Sequence, residues 1–233
     1  MAPNLLAISG IGLLLGFRHA FEPDHLAAVS TLATRPGARL WSAARLGLVW
    51  GIGHTATVGV VVAVILVLGL QLPPQLWAAE LLVAALLVLL GSVVIWRYAR
   101  GRWHMHAHSH SGAAEPHVHL HSHAHEVGHA HGHARPDARR SLGFGIAHGL
   151  AGSGAIAALL VAAAPDTTSR LMYFATFGGG TILGMLLVSL TLGSAVRLAA
   201  ARRARWATIL HLASATASVL VGIALGASKI GRL

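Results

Sequence analysis

A chain of 233 residues that is 55% hydrophobic and only 10% charged, with a mean hydropathy of +0.67, is far from a soluble domain, where charged residues are roughly 25%. The formal charge of +10 does not indicate nucleic acid, because the basic residues gather at the ends of apolar runs rather than in one patch or stripe. Cysteine is absent, which excludes disulfides and thiolate metal sites and leaves His, carboxylate, Met, backbone or water as metal ligands.

Several apolar runs approach or exceed the roughly 18 residues that mark a membrane-spanning helix. The chain therefore reads as an all-α polytopic membrane protein, a single domain over 1–233 with about six spans. The first, about 4–34, contains "GFRHAFEPDHLAAV" and is interrupted by Pro23. It lacks the short apolar core and small-residue cleavage site of a signal peptide and is expected to be retained. The second span, about 46–70, carries "GIGHT" and ends at "QLPPQ". The third covers about 76–98. A polar segment at 100–141 separates it from the fourth, about 142–164, which opens on "LGFGIAHGLAGSGA". The fifth and sixth are expected at about 171–198 and 206–228.

Lys and Arg are distributed unevenly among the connections. Those after spans one, three and five hold Arg35, Arg39, Arg45, Arg97, Arg100, Arg102, Arg135, Arg139, Arg140, Arg197, Arg202, Arg203 and Arg205, against Arg170, Lys229 and Arg232 on the other side. The positive-inside rule puts the richer side in the cytoplasm. A cell inner-membrane protein with both termini outside and the 100–141 loop cytoplasmic is expected.

An internal repeat is also visible. "GLLLGFRHAFEPDHLAAV" lies over "LGFGIAHGLAGSGAIAAL", matching His19 with His148 and Asp24 with Ser153. The following spans each carry glycines before a threonine, "GIGHT" and "FGGGT". Two halves of three spans must lie in opposite orientations, the inverted-repeat design of many secondary transporters.

Polar groups inside a membrane are expensive and mark function. His19, Asp24 and His25 would point in three directions on a regular helix. Pro23 removes a backbone hydrogen bond and breaks the helix, so the three can converge on one ion. Imidazoles with a carboxylate suit a borderline transition-metal dication. His54 follows Gly51 and Gly53, which permit close helix approach, and is either a further ligand or an imidazole hydrogen-bonded across helices. Thr55, His148 and Ser153 are candidate pathway residues. His211, near the cytoplasmic start of span six, reads as structural. Arg18 and Glu22, one turn apart, read as a local pair.

The loop supplies His104, His106, His108, His110, His117, His119, His121, His123, His125, His129, His131 and His133. Histidine alternating with small residues has no helical period and no core to pack, so a disordered metal-collecting segment is expected, open to nickel, cobalt or zinc. Its binding should weaken as imidazoles protonate below roughly pH 6.5.

"RHAFEPDH" resembles the His-x4-Asp-His signature of the nickel/cobalt permeases, and "GIGHT" resembles their second signature around a Gly-His-Ser/Thr triplet. With six spans and "HGLAGS" in the fourth, the chain is most similar to the short urease-accessory-type branch of that superfamily. The resemblance implies a permease for Ni²⁺ or Co²⁺, with His19, Asp24, His25 and His54 as ligands or selectivity residues. Longer uptake permeases of the superfamily have eight spans and acidic residues in the second half. This chain has "HGLAGSGA" there, and Ser189 in "GMLLVS".

The expected function is thus secondary transport of nickel or cobalt, by uptake, with the ion as substrate and no prosthetic group. Efflux is the alternative, and a membrane-bound metallochaperone or sensor that transports nothing is a third reading. An enzyme is not expected, since the His pairs within the spans lack the HExxH arrangement of zinc peptidases, and no P-loop for ATP coupling is present. Expected partners are the divalent ion, membrane lipids and nickel-enzyme maturation proteins.

Overall fold

Proline sets the first feature of the fold. The first span divides into α1 (Leu5–His19) and α2 (Pro23–Ala33), which meet at 57°. α1 closes in tight turns: the N–H groups of Ala20, Phe21 and Glu22 donate to the carbonyls of Phe17, Arg18 and His19, the three-residue pattern of a 3₁₀ turn. Glu22 is extended, and Pro23 takes a first-turn position of α2, where a missing N–H costs nothing. Pro23 therefore starts a new helix rather than kinking one.

The structure is a computed structural model that describes residues 5–34, 40–68, 77–100, 103–108, 117–122, 138–150, 164 and 166–230. Beyond α2 the helices are α3 (Leu40–Leu68), α4 (Trp77–Ala99), α5 (Ala138–Gly149), α6 (Thr167–Arg202) and α7 (Ala204–Ile230). The helical body is that of an all-α membrane protein. Four of these helices are long and apolar enough to cross a membrane, and the bent pair α1 and α2 adds a fifth if it is one broken span. α5 holds the start of the expected fourth span, whose continuation over 151–163, Ser153 included, lies outside the described residues.

The observed helices outrun the apolar runs that announce them. α3 starts at Leu40 rather than 46, and α6 covers Thr167–Arg202 rather than 171–198. Charged residues such as Arg45 and Arg197 end a hydrophobic stretch without ending a helix. The start of α6 is set by its cap. The Ser169 N–H donates to Asp166 Oδ1 at 2.9 Å and the Ser169 hydroxyl to Oδ2 at 2.8 Å, satisfying first-turn donors.

The loop expected to lack regular structure contains an antiparallel pair, β1 (Trp103–His108) and β2 (His117–Ser122). His104 stands opposite His121, His106 opposite His119 and His108 opposite His117. Histidine at every second position has no helical period, but two is the period of a strand. His110, His123, His125, His129, His131 and His133 lie outside the described residues.

Burial runs opposite to a soluble protein in its large residues. Leu6, Val67 and Leu198 are exposed, while His25, His54, His148 and His211 are buried with Trp50, Leu87 and Met185. An apolar exterior around polar side chains is what lipid demands. Helices approach closely at glycines, and these approaches come in matched pairs. A Cβ on Gly16 of α1 would strike the Phe177 backbone of α6, and one on Gly145 of α5 would strike the Trp50 backbone of α3. Gly180 abuts Leu13 and Phe17, as Gly53 abuts Leu142 and Ile146. Gly178 meets Thr55, as Gly51 meets Ile182. Between α4 and α7, Gly91 meets Ala215 and Val219, as Gly222 meets Ala84 and Val88. One constant shift per helix carries each contact into its mate: α1 to α5, α3 to α6, α4 to α7. An approximate two-fold relation between the halves generates this pattern. It matches His19 with His148, as the sequence repeat does, but it pairs His54, not Thr55, with Thr181.

Candidate metal site

The helix break places the opening motif in the interior. His19 ends α1 and His25 lies in the first turn of α2, both buried. His54 arrives from α3, where Gly53 and Gly51 hold the helix tight against α5 and α6. The three imidazoles offer nitrogens that all lie within 4.8 Å of one another. His19 Nε2 is 3.0 Å from His54 Nε2. Two nitrogens each about 2.1 Å from one ion, at a right angle, would be about 3.0 Å apart. The His25 ring sits edge-on to both, with centroids 4.6 Å from His19 and 5.2 Å from His54.

Carboxylates fix the orientation of two of these rings. Glu22 Oε2 stands 3.1 Å from His19 Nδ1, and Asp24 Oδ1 accepts from His25 Nδ1 at 3.2 Å. With Nδ1 beside a carboxylate in each case, Nε2 is left with a lone pair directed inward. A ligating His commonly donates its second nitrogen to a carboxylate in this way. The Nε2 of His25 and the Nδ1 of His54 have no hydrogen-bond partner among the described residues. Glu22, Asp24 and His25 form a second group of donors within the same 4.8 Å limit. Glu22 is 43% and Asp24 17% exposed, against 0% for His25, so acidity faces outward from the buried imidazoles.

The remaining candidates fall in different places. His148, on α5, is fully buried with its ring centroid 5.1 Å from His25 and 5.1 Å from Trp50. Thr55 is half-buried and its hydroxyl oxygen has no partner among the described residues. His211 stands apart, with its Nδ1 3.0 Å from Thr34 Oγ1 and its ring 6.0 Å from Tyr98. Glu22 is the contributor that helical spacing alone misassigns. It pairs with His19 rather than with the exposed Arg18. The signal available in the sequence is its position, three residues beyond His19 across the end of a helix. Phe177 and Trp50 wall the cluster, at 5.6 Å from His19 and 5.1 Å from His148.

Among known proteins, the chain is 35% identical over 192 residues to "Urease accessory protein UreH" of Bacillus sp. (strain TB-90), over 82% of this chain and 78% of that one. No family model matches the sequence, and no solved structure matches it. With that identity over most of both chains, on a polytopic helical membrane frame, this protein belongs to the family of the urease accessory protein UreH.

Proposed function

We propose that the protein is a permease that moves nickel or cobalt ions across the membrane, in the uptake direction. The observation that carries this reading is the buried His19, His25 and His54 triad inside a membrane protein, with two rings oriented by carboxylates. Unpartnered buried imidazole nitrogens are costly in such a setting unless something binds there. Imidazole donors suit nickel and cobalt. The relative's name ties it to urease, a nickel enzyme, which favours nickel as cargo and delivery to nickel-enzyme maturation proteins as the outcome.

In this reading the half-exposed Glu22 and the more buried Asp24 draw a hydrated dication toward the break between α1 and α2. His19, His25 and His54 replace part of its water. Release toward the His-rich segment follows when the helix pairs rearrange, the alternating access expected of inverted repeats. A membrane potential, negative inside, assists an inward-moving cation by about 2.3 kcal/mol per charge per 100 mV. The protein acts as a carrier and does no covalent chemistry.

The test is cellular nickel with and without the protein, together with flux of radiolabelled nickel into proteoliposomes. Uptake predicts higher cell nickel on expression. Lower nickel would turn the account to efflux, and absence of flux in any direction would leave only metal binding.

A further inference from the structure

The two-fold relation between the halves makes one position conspicuous. Where α1 presents His19, α5 presents His148, its mate by the shift that also carries Gly16 to Gly145 and Leu13 to Leu142. The two halves then differ in one respect. His19 has Glu22 on its Nδ1, and three residues past His148 stands Ala151 where Glu22 would be. Apart from the Phe144 carbonyl one turn back on its own helix, neither ring nitrogen of His148 has a partner among the described residues. A fully buried imidazole with a nitrogen left unsatisfied is costly, and its ring lies against His25, the residue already in contact with His19 and His54.

We propose that His148 is the second half's ligand for the transported dication, receiving the ion from the triad through His25. This rests on the permease reading above. His25 is the shared residue: its ring is 4.6 Å from His19 on one side and 5.1 Å from His148 on the other. The mate of His54 is already engaged. His54 corresponds to Thr181, whose hydroxyl donates to the Gly16 carbonyl at 3.2 Å and to the Phe177 carbonyl at 3.0 Å. Asp24 corresponds to Ser153. The site is therefore asymmetric: three donors from the first half, two of them beside carboxylates, and one imidazole with no carboxylate partner among the described residues from the second. An ion at His148, where Ala151 stands in place of Glu22, is held with less charge than one at His19 beside Glu22. That difference lets it leave on the second-half side, since conduction needs binding weak enough to release.

The chain has no cysteine, which permits a direct test. A cysteine that ligates cobalt is deprotonated and gives a thiolate-to-cobalt charge-transfer band in the near ultraviolet, which the His-rich segment cannot produce. The full chain is purified in detergent as His19→Cys, His148→Cys and, as a remote comparison, His211→Cys, and each is titrated with Co²⁺. The expected result is a band for His19→Cys and His148→Cys, and none for His211→Cys. A band for His19→Cys without one for His148→Cys overturns this inference and leaves the triad intact. No band for His19→Cys counts against the permease site itself. A second variant guards against misfolding. His148→Gln that elutes as wild type should lower nickel flux at limiting nickel by at least about tenfold, and wild-type flux from it overturns the proposal.

Discussion

His19 and His54 bring their Nε2 atoms to 3.0 Å across helices that are distant in sequence. One nitrogen must donate to the other in the absence of an ion, and both must turn lone pairs to an ion that enters. His19→Ala and His54→Ala each remove one of three donors. Each should lower apparent nickel affinity in proteoliposome flux by about 100-fold or more, since loss of even an outer-shell partner typically costs 10–100-fold.

The Glu22 contact with His19 Nδ1 at 3.1 Å predicts a graded effect. Glu22→Gln keeps the size but accepts a hydrogen bond less strongly. It should weaken nickel affinity about 10–100-fold with the maximal rate less affected. Arg18→Gln should leave affinity near wild type. Saturation curves for the two variants separate an orienting carboxylate from a surface pair.

Packing at the paired glycines predicts a stability effect unrelated to metal. Gly16→Leu forces α1 off the Phe177 backbone of α6, and Gly145→Leu forces α5 off Trp50. Overpacking of this kind costs about 1–3 kcal/mol or more. A methyl group added at Gly10 would have nothing within 4 Å, so Gly10→Ala should be tolerated. Thermal unfolding in detergent should rank the first two well below the third.

The Asp166 cap gives a pH dependence. Its carboxyl is held below the ordinary value of 3.8, first by the Ser169 N–H and then by the Ser169 hydroxyl. A depressed folded-state value means that the cap stabilises fully above about pH 3.8, the unfolded value, and loses its effect as pH falls through the lower folded value. Asp166→Ala should melt earlier than wild type at pH 7. The gap between the two should shrink as unfolding is followed into acid below pH 3.8.

Much of this architecture is legible in the residues. Apolar runs locate the long helices α3, α4, α6 and α7, and Pro23 locates the break, because lipid and proline each impose a rule that needs no tertiary context. His19 and His148 can be paired from Gly- and Ala-rich text. Their meeting with His54 cannot, since it depends on how far α1 and α3 slide along α6, which glycine contacts decide. The threonine match between "GIGHT" and "FGGGT" misleads by one residue for the same reason: packing, not similarity, aligns Gly51 with Gly178. Helical spacing assigns Glu22 to Arg18, but that spacing stops applying once α1 ends at His19. Alternating histidines in the loop suggest a shapeless segment, but their period of two is also a strand's.

The proposed function is carriage of nickel or cobalt through the His19, His25 and His54 triad. Its most direct test is radiolabelled nickel flux into proteoliposomes holding the full chain, with an inside-negative potential, for wild type, His19→Ala and Asp24→Asn. The account predicts potential-driven entry for wild type and a loss of at least about tenfold for both variants at limiting nickel. Variants that transport as well as wild type would contradict it.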